Sequence, residues 1–218
     1  MMKIGMISGN GSLSGPARAA LSVAVCFALL STLGACAGPQ NVLVDLQPYE
    51  RQGGTPANPG GSAVTVRVEP VRDARGDAVG SLIGERTTIG DISLGSIELN
   101  PLPTDLMARL LRTELTQMGY SVVSSAAQFT IGAQLRKFQV VTPATVVYWD
   151  INGTIELELT AAAQDGKRHE ARYAATCTDR TYVYPSQELI RNVVSACVGS
   201  IGTKVREDAA LAGFIGMR

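Results

Sequence analysis

Apolar and polar positions alternate along much of the C-terminal two-thirds of the chain. Val64, Val66 and Val68 take turns with Thr65, Arg67 and Glu69, the period-two pattern of a strand with one buried face. Phe129, Ile131, Ala133 and Leu135 alternate with Thr130, Gln134 and Arg136, and Ile155, Leu157 and Leu159 with Glu156, Glu158 and Thr160. A run from Val146 to Leu159 is broken at Asn152-Gly153, and Asp165-Gly166 marks a hairpin turn. The returning strand, about His169 to Tyr184, sets Tyr173, Ala175, Cys177 and Val183 on one parity, so Cys177 is expected to face inward.

Two stretches follow the helical period instead. Leu106, Met107, Leu110, Leu111, Leu115 and Met118 form one stripe, with Thr104 placed to cap the helix, Arg109, Arg112 and Glu114 turned outward, and Gly119 at its stop. Leu189, Val193, Cys197 and Ile201 recur every four residues after Pro185-Ser186, with Ser186 as cap. The order of elements predicts an α+β fold: two layers, a mostly antiparallel sheet with two helices packed on one face. Its other face is expected to be polar and wet, lined by Arg67, Gln134, Arg136, Glu156 and Glu158.

Other stretches are less regular. Val42-Leu43-Val44 is strand-like, but Gln52 to Ser62 holds four glycines and two prolines, the composition of a tether or loop. Pro70 closes or edges the first long strand, and Val71 to Asp77 is a charged turn region. Between Gly80 and Leu99, glycine interrupts the chain repeatedly, and Ile83-Gly84 echoes Ile89-Gly90. The stretch reads either as an irregular hairpin or long loop, or as a partner-binding loop centred on those four residues. It is no phosphate loop, since no Gly-Lys-Ser/Thr follows.

Composition matters most at the N-terminus. Lys3 and Arg18 precede an apolar run from Ala19 to Leu33, too short to span a bilayer, and small residues follow. Leu33-Gly34-Ala35-Cys36 resembles the lipobox of bacterial lipoproteins, which implies cleavage before Cys36 and lipidation of that residue. The expected organisation is a signal peptide over 1–35, a lipidated N-terminus and tether over 36–62, and one α+β domain over 63–218. Without the leader the chain keeps 17 basic and 19 acidic residues, a formal charge of about −2. That balance gives no grip on nucleic acid, so the membrane would be met through the anchor on Cys36. Cys177 and Cys197 are then the remaining pair. They form either one disulfide, as an oxidising periplasm favours, or two separate buried thiols.

Catalytic chemistry is sparse. His169 is the only histidine and lies in the hydrophilic run 164–170, where a surface role is expected. One histidine makes none of the usual zinc sites, no Gly-x-Ser-x-Gly elbow occurs, and the carboxylate pairs Asp73/Asp77 and Glu156/Glu158 fall in a turn and on an open strand face. No catalytic residue, metal or cofactor is expected. Aromatic residues are 5% of the chain, too few for base stacking, and Tyr148-Trp149 is their one cluster.

The lipobox, the run Val64-Thr65-Val66-Arg67-Val68-Glu69-Pro70-Val71-Arg72-Asp73-Ala74-Arg75, an Ile-Gly segment and a leucine-rich helix ending Met118-Gly119-Tyr120 together resemble the YajG-like bacterial lipoproteins. The resemblance implies a small α+β domain held at a membrane, with no established catalytic residues to carry over. The expected function is a non-enzymatic binding or assembly module with an envelope protein as partner. Ala37 after the cysteine resembles the outer-membrane sorting pattern. The alternative is an auxiliary lipoprotein of an ABC-type lipid-transport system, whose members have a similar layout.

Overall fold

A computed structural model describes residues 40–46, 64–76 and 80–216. The signal peptide, Cys36 and the glycine-rich stretch 52–62 lie outside the described residues. In chain order the elements are β1 (Val42–Asp45), β2 (Thr65–Val68), β3 (Arg72–Asp73), β4 (Leu82–Thr87), β5 (Ser93–Asn100), α1 (Pro103–Gln117), β6 (Ser121–Val122), β7 (Phe129–Thr142), β8 (Trp149–Ala163), β9 (Arg168–Thr181), α2 (Gln187–Arg206) and α3 (Ala209–Gly216).

β7 is the spine of the sheet. Along one edge it pairs antiparallel with β8, from Phe129↔Ala163 to Val141↔Asn152, and β8 pairs antiparallel with β9 over its whole length. Its other edge is shared by three short parallel partners in succession: β2 at Phe129–Ile131, β3 at Gln134–Leu135 and β4 at Val140–Thr142. β6 extends the sheet beyond β2, while β5 pairs antiparallel with β4 and carries β1 on its far edge, parallel. The nine-stranded sheet is therefore mixed, with its long pairings antiparallel.

The alternating runs explain the burial. Phe129, Ile131 and Leu135 on β7 and Ile151, Ile155, Leu157 and Leu159 on β8 are buried, whereas the intervening side chains are more exposed. A register shift between Leu135 and Lys137 moves the buried parity on to Phe138 and Val140. α1 touches β2, β6 and β7; α2 touches β1, β8, β9 and α1; α3 touches β8 and β9. Burying these apolar stripes supplies most of the driving force.

Several expectations need correction. Three helices are described, not two. α3 is short and apolar nearly all round, so it carries no amphipathic signal; its start is fixed by Asp208, whose Oδ1 accepts the Ala210 and Leu211 amides, both at 2.9 Å. α1 begins at Pro103, which puts Thr104 inside the first turn with no capping role. Glu114 is buried rather than outward, 3.3 Å from the Arg206 guanidinium of α2. Val183 lies beyond the end of β9 and is exposed.

Asn152-Gly153 does not break β8, which runs unbroken through it. Glycine is needed there because a Cβ at residue 153 would stand 3.1 Å from Val193 Cγ1 and 3.3 Å from Cys197 Sγ. Ser186 caps α2 as expected, accepting the Leu189 amide at 3.3 Å. Gly119, at φ +93°, follows the end of α1. The folded unit also reaches back before residue 63, because β1 is a full member of the sheet.

Candidate interaction surfaces

Cys177 on β9 and Cys197 on α2 form a disulfide, with Cα atoms 5.5 Å apart. Inward parity on the strand and the buried stripe of the helix bring them together over Gly153. It pins α2 to the sheet rather than supplying reactive thiols.

The Gly80–Leu99 stretch is an irregular hairpin of β4 and β5, with register shifts near both ends. Of the four residues singled out there, Ile83 is buried in the core. Gly84 lets β4 approach β7, since a Cβ would overlap the Val140 carbonyl. Ile89 is exposed at the turn beside Gly90, whose φ of +83° suits glycine. Of these four, only Ile89 and Gly90, at the tip of the hairpin, are exposed.

Asp73-x-Arg75, in the charged turn region, proves to be a clamp. The Arg75 guanidinium holds both Asp73 carboxylate oxygens, Nε to Oδ1 at 2.8 Å and Nη2 to Oδ2 at 2.7 Å. It also donates to the carbonyls of Leu82 and Gly80, each at 2.8 Å, tying β3 to the start of β4. The Arg75 hydrogen bonds hold the Asp73 carboxyl below the usual aspartate range.

His169 is not at the solvated hairpin tip. It sits on β9 opposite Ala161, half-buried, with its ring stacked on Phe214 of α3 at 5.7 Å. Nearby, the Tyr173 hydroxyl donates to Asp208 Oδ2 at 2.8 Å. Burial, reinforced by that carboxylate, pushes the phenol well above its ordinary value. The group joins α3 to β9.

Two surfaces remain. The first is a polar trough of about 830 Å³ on the open face of β7, β8 and β9. Gln134, Arg136 and Glu158 line it as the alternation predicted, together with Arg72, Arg168, Glu170 and Arg172. Glu158 lies between two arginines, accepting from Arg136 Nε at 2.6 Å and from Arg172. Hydrogen bonds from Arg136 and then Arg172 hold its carboxyl below the ordinary range.

The second surface was legible in the sequence only in fragments. Three connections meet at one end of the sheet: the β4–β5 turn, the β7–β8 loop and the segment from β9 to α2. Their strands share that end through the pairs Arg86↔Thr142 and Trp149↔Thr181. Ile89, Ile92, Val146, Val147, Tyr182, Val183 and Tyr184 are all exposed there. Among them Tyr148 meets Tyr182 and Trp149 meets Tyr184, each edge to face at 6.4 Å. The Arg180 guanidinium covers Tyr148 at 3.8 Å and is held by Asp150 at 2.7 Å.

Among the described residues no helix is long and apolar enough to cross a membrane, and no cluster of potential metal ligands occurs. The fold class is shared with a Xanthomonas campestris protein, XCC0632, of the family model DUF330: 11% identity and a TM-score of 0.52 over 73% of this chain and 92% of that one. Lipoprotein GNA1162 of Neisseria meningitidis has a looser likeness, with 13% identity and a TM-score of 0.31 over 64% of this chain and 99% of that one. No curated protein matches the sequence. Residues 52–216 match the model of the Lipoprotein_16 family, described as uncharacterized lipoprotein. The chain belongs to that family, a YajG-like family of bacterial lipoproteins.

Proposed function

We propose that this protein is an outer-membrane lipoprotein, acylated on Cys36, whose periplasmic domain is a non-enzymatic binding and assembly module for other envelope components. The trough on the open sheet face carries this reading. Its charges of both signs are interlaced on three long strands, a rigid platform that suits a polar protein surface better than a polyanion. The anchor would hold that platform permanently in one compartment. Ala37 after Cys36 supports the outer membrane as its destination.

The test uses the full-length lipoprotein in detergent-solubilised envelopes. Crosslinking followed by affinity recovery is expected to yield a partner protein, and Arg136→Glu with Arg172→Glu to abolish its recovery. Recovery of no envelope protein, or recovery indifferent to the double substitution, counts against the reading.

A second reading, an auxiliary lipoprotein of an ABC-type lipid-transport system, draws on a groove of about 930 Å³ between β4 and β7, where Leu82 and Val141 are exposed. Lipid retained by the purified protein and lost on Val141→Asp would favour it.

A further inference from the structure

We propose that the exposed apolar end of the sheet rests on the lipid bilayer that holds the anchor, so that the domain stands upright on the membrane through its β4–β5, β7–β8 and β9–α2 connections. The inference rests on the reading of Cys36 as the acylated residue. It adds to that reading a defined contact surface and a fixed orientation.

The distribution of exposed apolar side chains comes first. Eleven large hydrophobics are exposed among the described residues, and eight of them belong to this end or to Val141 beside it. Val146 is 90% exposed and Tyr182 70%. Connections are ordinarily the polar parts of a domain, and a contiguous apolar patch marks a contact with a partner or a membrane. The composition of the patch is that of an interfacial layer. Exposed aliphatic side chains stand among tyrosines and the single tryptophan, which pair edge to face.

The position of the chain's N-terminal segment selects the membrane over other occupants. Gln40 is fixed at this same end: its amide donates to the Leu94 carbonyl at 3.1 Å, and its carbonyl accepts from Arg86. Arg86 in turn lies over the ring of Tyr184, 4.9 Å from its centroid. Cys36 precedes Gln40 by four residues, which span at most about 14 Å when fully extended. A lipidated Cys36 therefore has to sit close to the apolar end. It cannot sit close to the opposite end, because β8 alone, at 15 residues, is about 50 Å long. That far end carries Asp165, Lys167 and Arg168, all exposed. The end near the anchor holds most of the exposed large hydrophobics, interspersed with Asp91, Asp179 and Arg180, whereas the distant turn is charged and carries none of them.

The contact provides what acyl chains alone lack. An acyl anchor a few residues away fixes distance but not orientation, whereas a second apolar contact fixes both. The polar trough, on the face of the long strands, is then held side-on to the membrane and open to the periplasm.

The test uses the full-length lipidated protein in vesicles of phosphatidylethanolamine and phosphatidylglycerol, with a fraction of the lipid spin-labelled near the headgroup. Trp149 is the only tryptophan and serves as the probe. Loss of most of its emission to the lipid-borne quencher is expected, along with protection from aqueous acrylamide. Val146→Asp with Val147→Asp, and independently Ile92→Asp, are expected to restore the emission while the protein still floats with the vesicles. Emission untouched by the lipid quencher in a floating wild-type protein overturns the proposal and leaves the lipoprotein reading standing. Quenching that survives both sets of substitutions overturns the proposal too. A wild-type protein that does not float, or a Cys36→Ala protein that is processed and floats normally, overturns the anchor and the orientation together.

Discussion

The Arg86 guanidinium lies 4.9 Å from the centre of the Tyr184 ring while donating to the backbone carbonyls of Gln40 and Leu94. One buried cation thereby joins the first described residue, the hairpin β4–β5 and the segment leading into α2. Arg86 is 3% exposed, so its guanidinium is held by these partners and not by water. Arg86→Ala is expected to lower stability by about 2 kcal/mol through unsatisfied carbonyls and the lost cation–π contact. Urea unfolding with an unchanged denaturant slope would register this. A midpoint equal to that of the wild type would show that the contacts contribute nothing.

The disulfide between Cys177 and Cys197 closes a loop with a sequence separation of 20 residues. Reduction, or Cys177→Ser with Cys197→Ser, is expected to cost about 3 kcal/mol, chiefly by enlarging the freedom of the unfolded chain. Membrane attachment should be unaffected, since Cys36 plays no part in the pair. Thermal melts with and without reductant measure the first point, and fractionation of the double variant the second. Two alkylatable thiols in protein taken from the periplasm without reductant would refute the bond.

Gly153 gives a related prediction. Its missing Cβ leaves room for Val193 and the Cys197 sulfur. Gly153→Val is expected to push α2 from the sheet at a cost of about 2 kcal/mol, the scale of overpacking in a filled core. Gly84→Ala tests close approach at another point, because there the clash is with the Val140 backbone, which cannot swing aside as a side chain can.

These glycines show what the sequence could and could not reveal. Period-two and helical patterns located β2, β7, the second half of β8, α1 and α2, because each buries one face and exposes the other. Cys177 and Cys197 were placed inward by the same patterns. Gly153 misled because a strand glycine that serves a distant helix looks locally like a turn. Glu114 was placed outward because its partner Arg206 is 92 residues away. The apolar end was legible only in fragments, as Ile89-Gly90 and Tyr148-Trp149. Ile89, Val146 and Tyr182 belong to three separate connections, and only the pairing of β4, β7, β8 and β9 gathers them.

The seam between α3 and the sheet depends on Asp208, which caps the helix and accepts the Tyr173 hydroxyl. Asp208→Ala removes the cap and the bridge together and is expected to cost about 1–2 kcal/mol. The loss should concentrate in α3. Hydrogen exchange would show its amides, and those of few other elements, losing protection. Uniform loss across the domain would mean that α3 does not open separately.

The Asp73–Arg75 clamp sets an acid dependence. Asp73 has an ordinary value near 3.8 in the unfolded chain, and the hydrogen bonds from Arg75 lower it in the folded protein. A depressed folded value means that the unfolded state binds the proton more readily. The stabilising contribution is therefore complete well above pH 3.8 and is lost as pH falls from there through the folded value. Glu158, Asp165 and Asp208 are lowered as well, so the wild type alone cannot isolate Asp73. Arg75→Met can, because it removes the guanidinium from Asp73 and leaves those three carboxylates untouched. Stability measured by urea unfolding from pH 6 to pH 2.5, a range of about 3.5 units chosen to bracket the transition, should fall more steeply in the wild type than in the variant. Parallel profiles would show that Asp73 titrates alike in the folded and unfolded chains, and that the clamp acts through the Leu82 and Gly80 carbonyls alone.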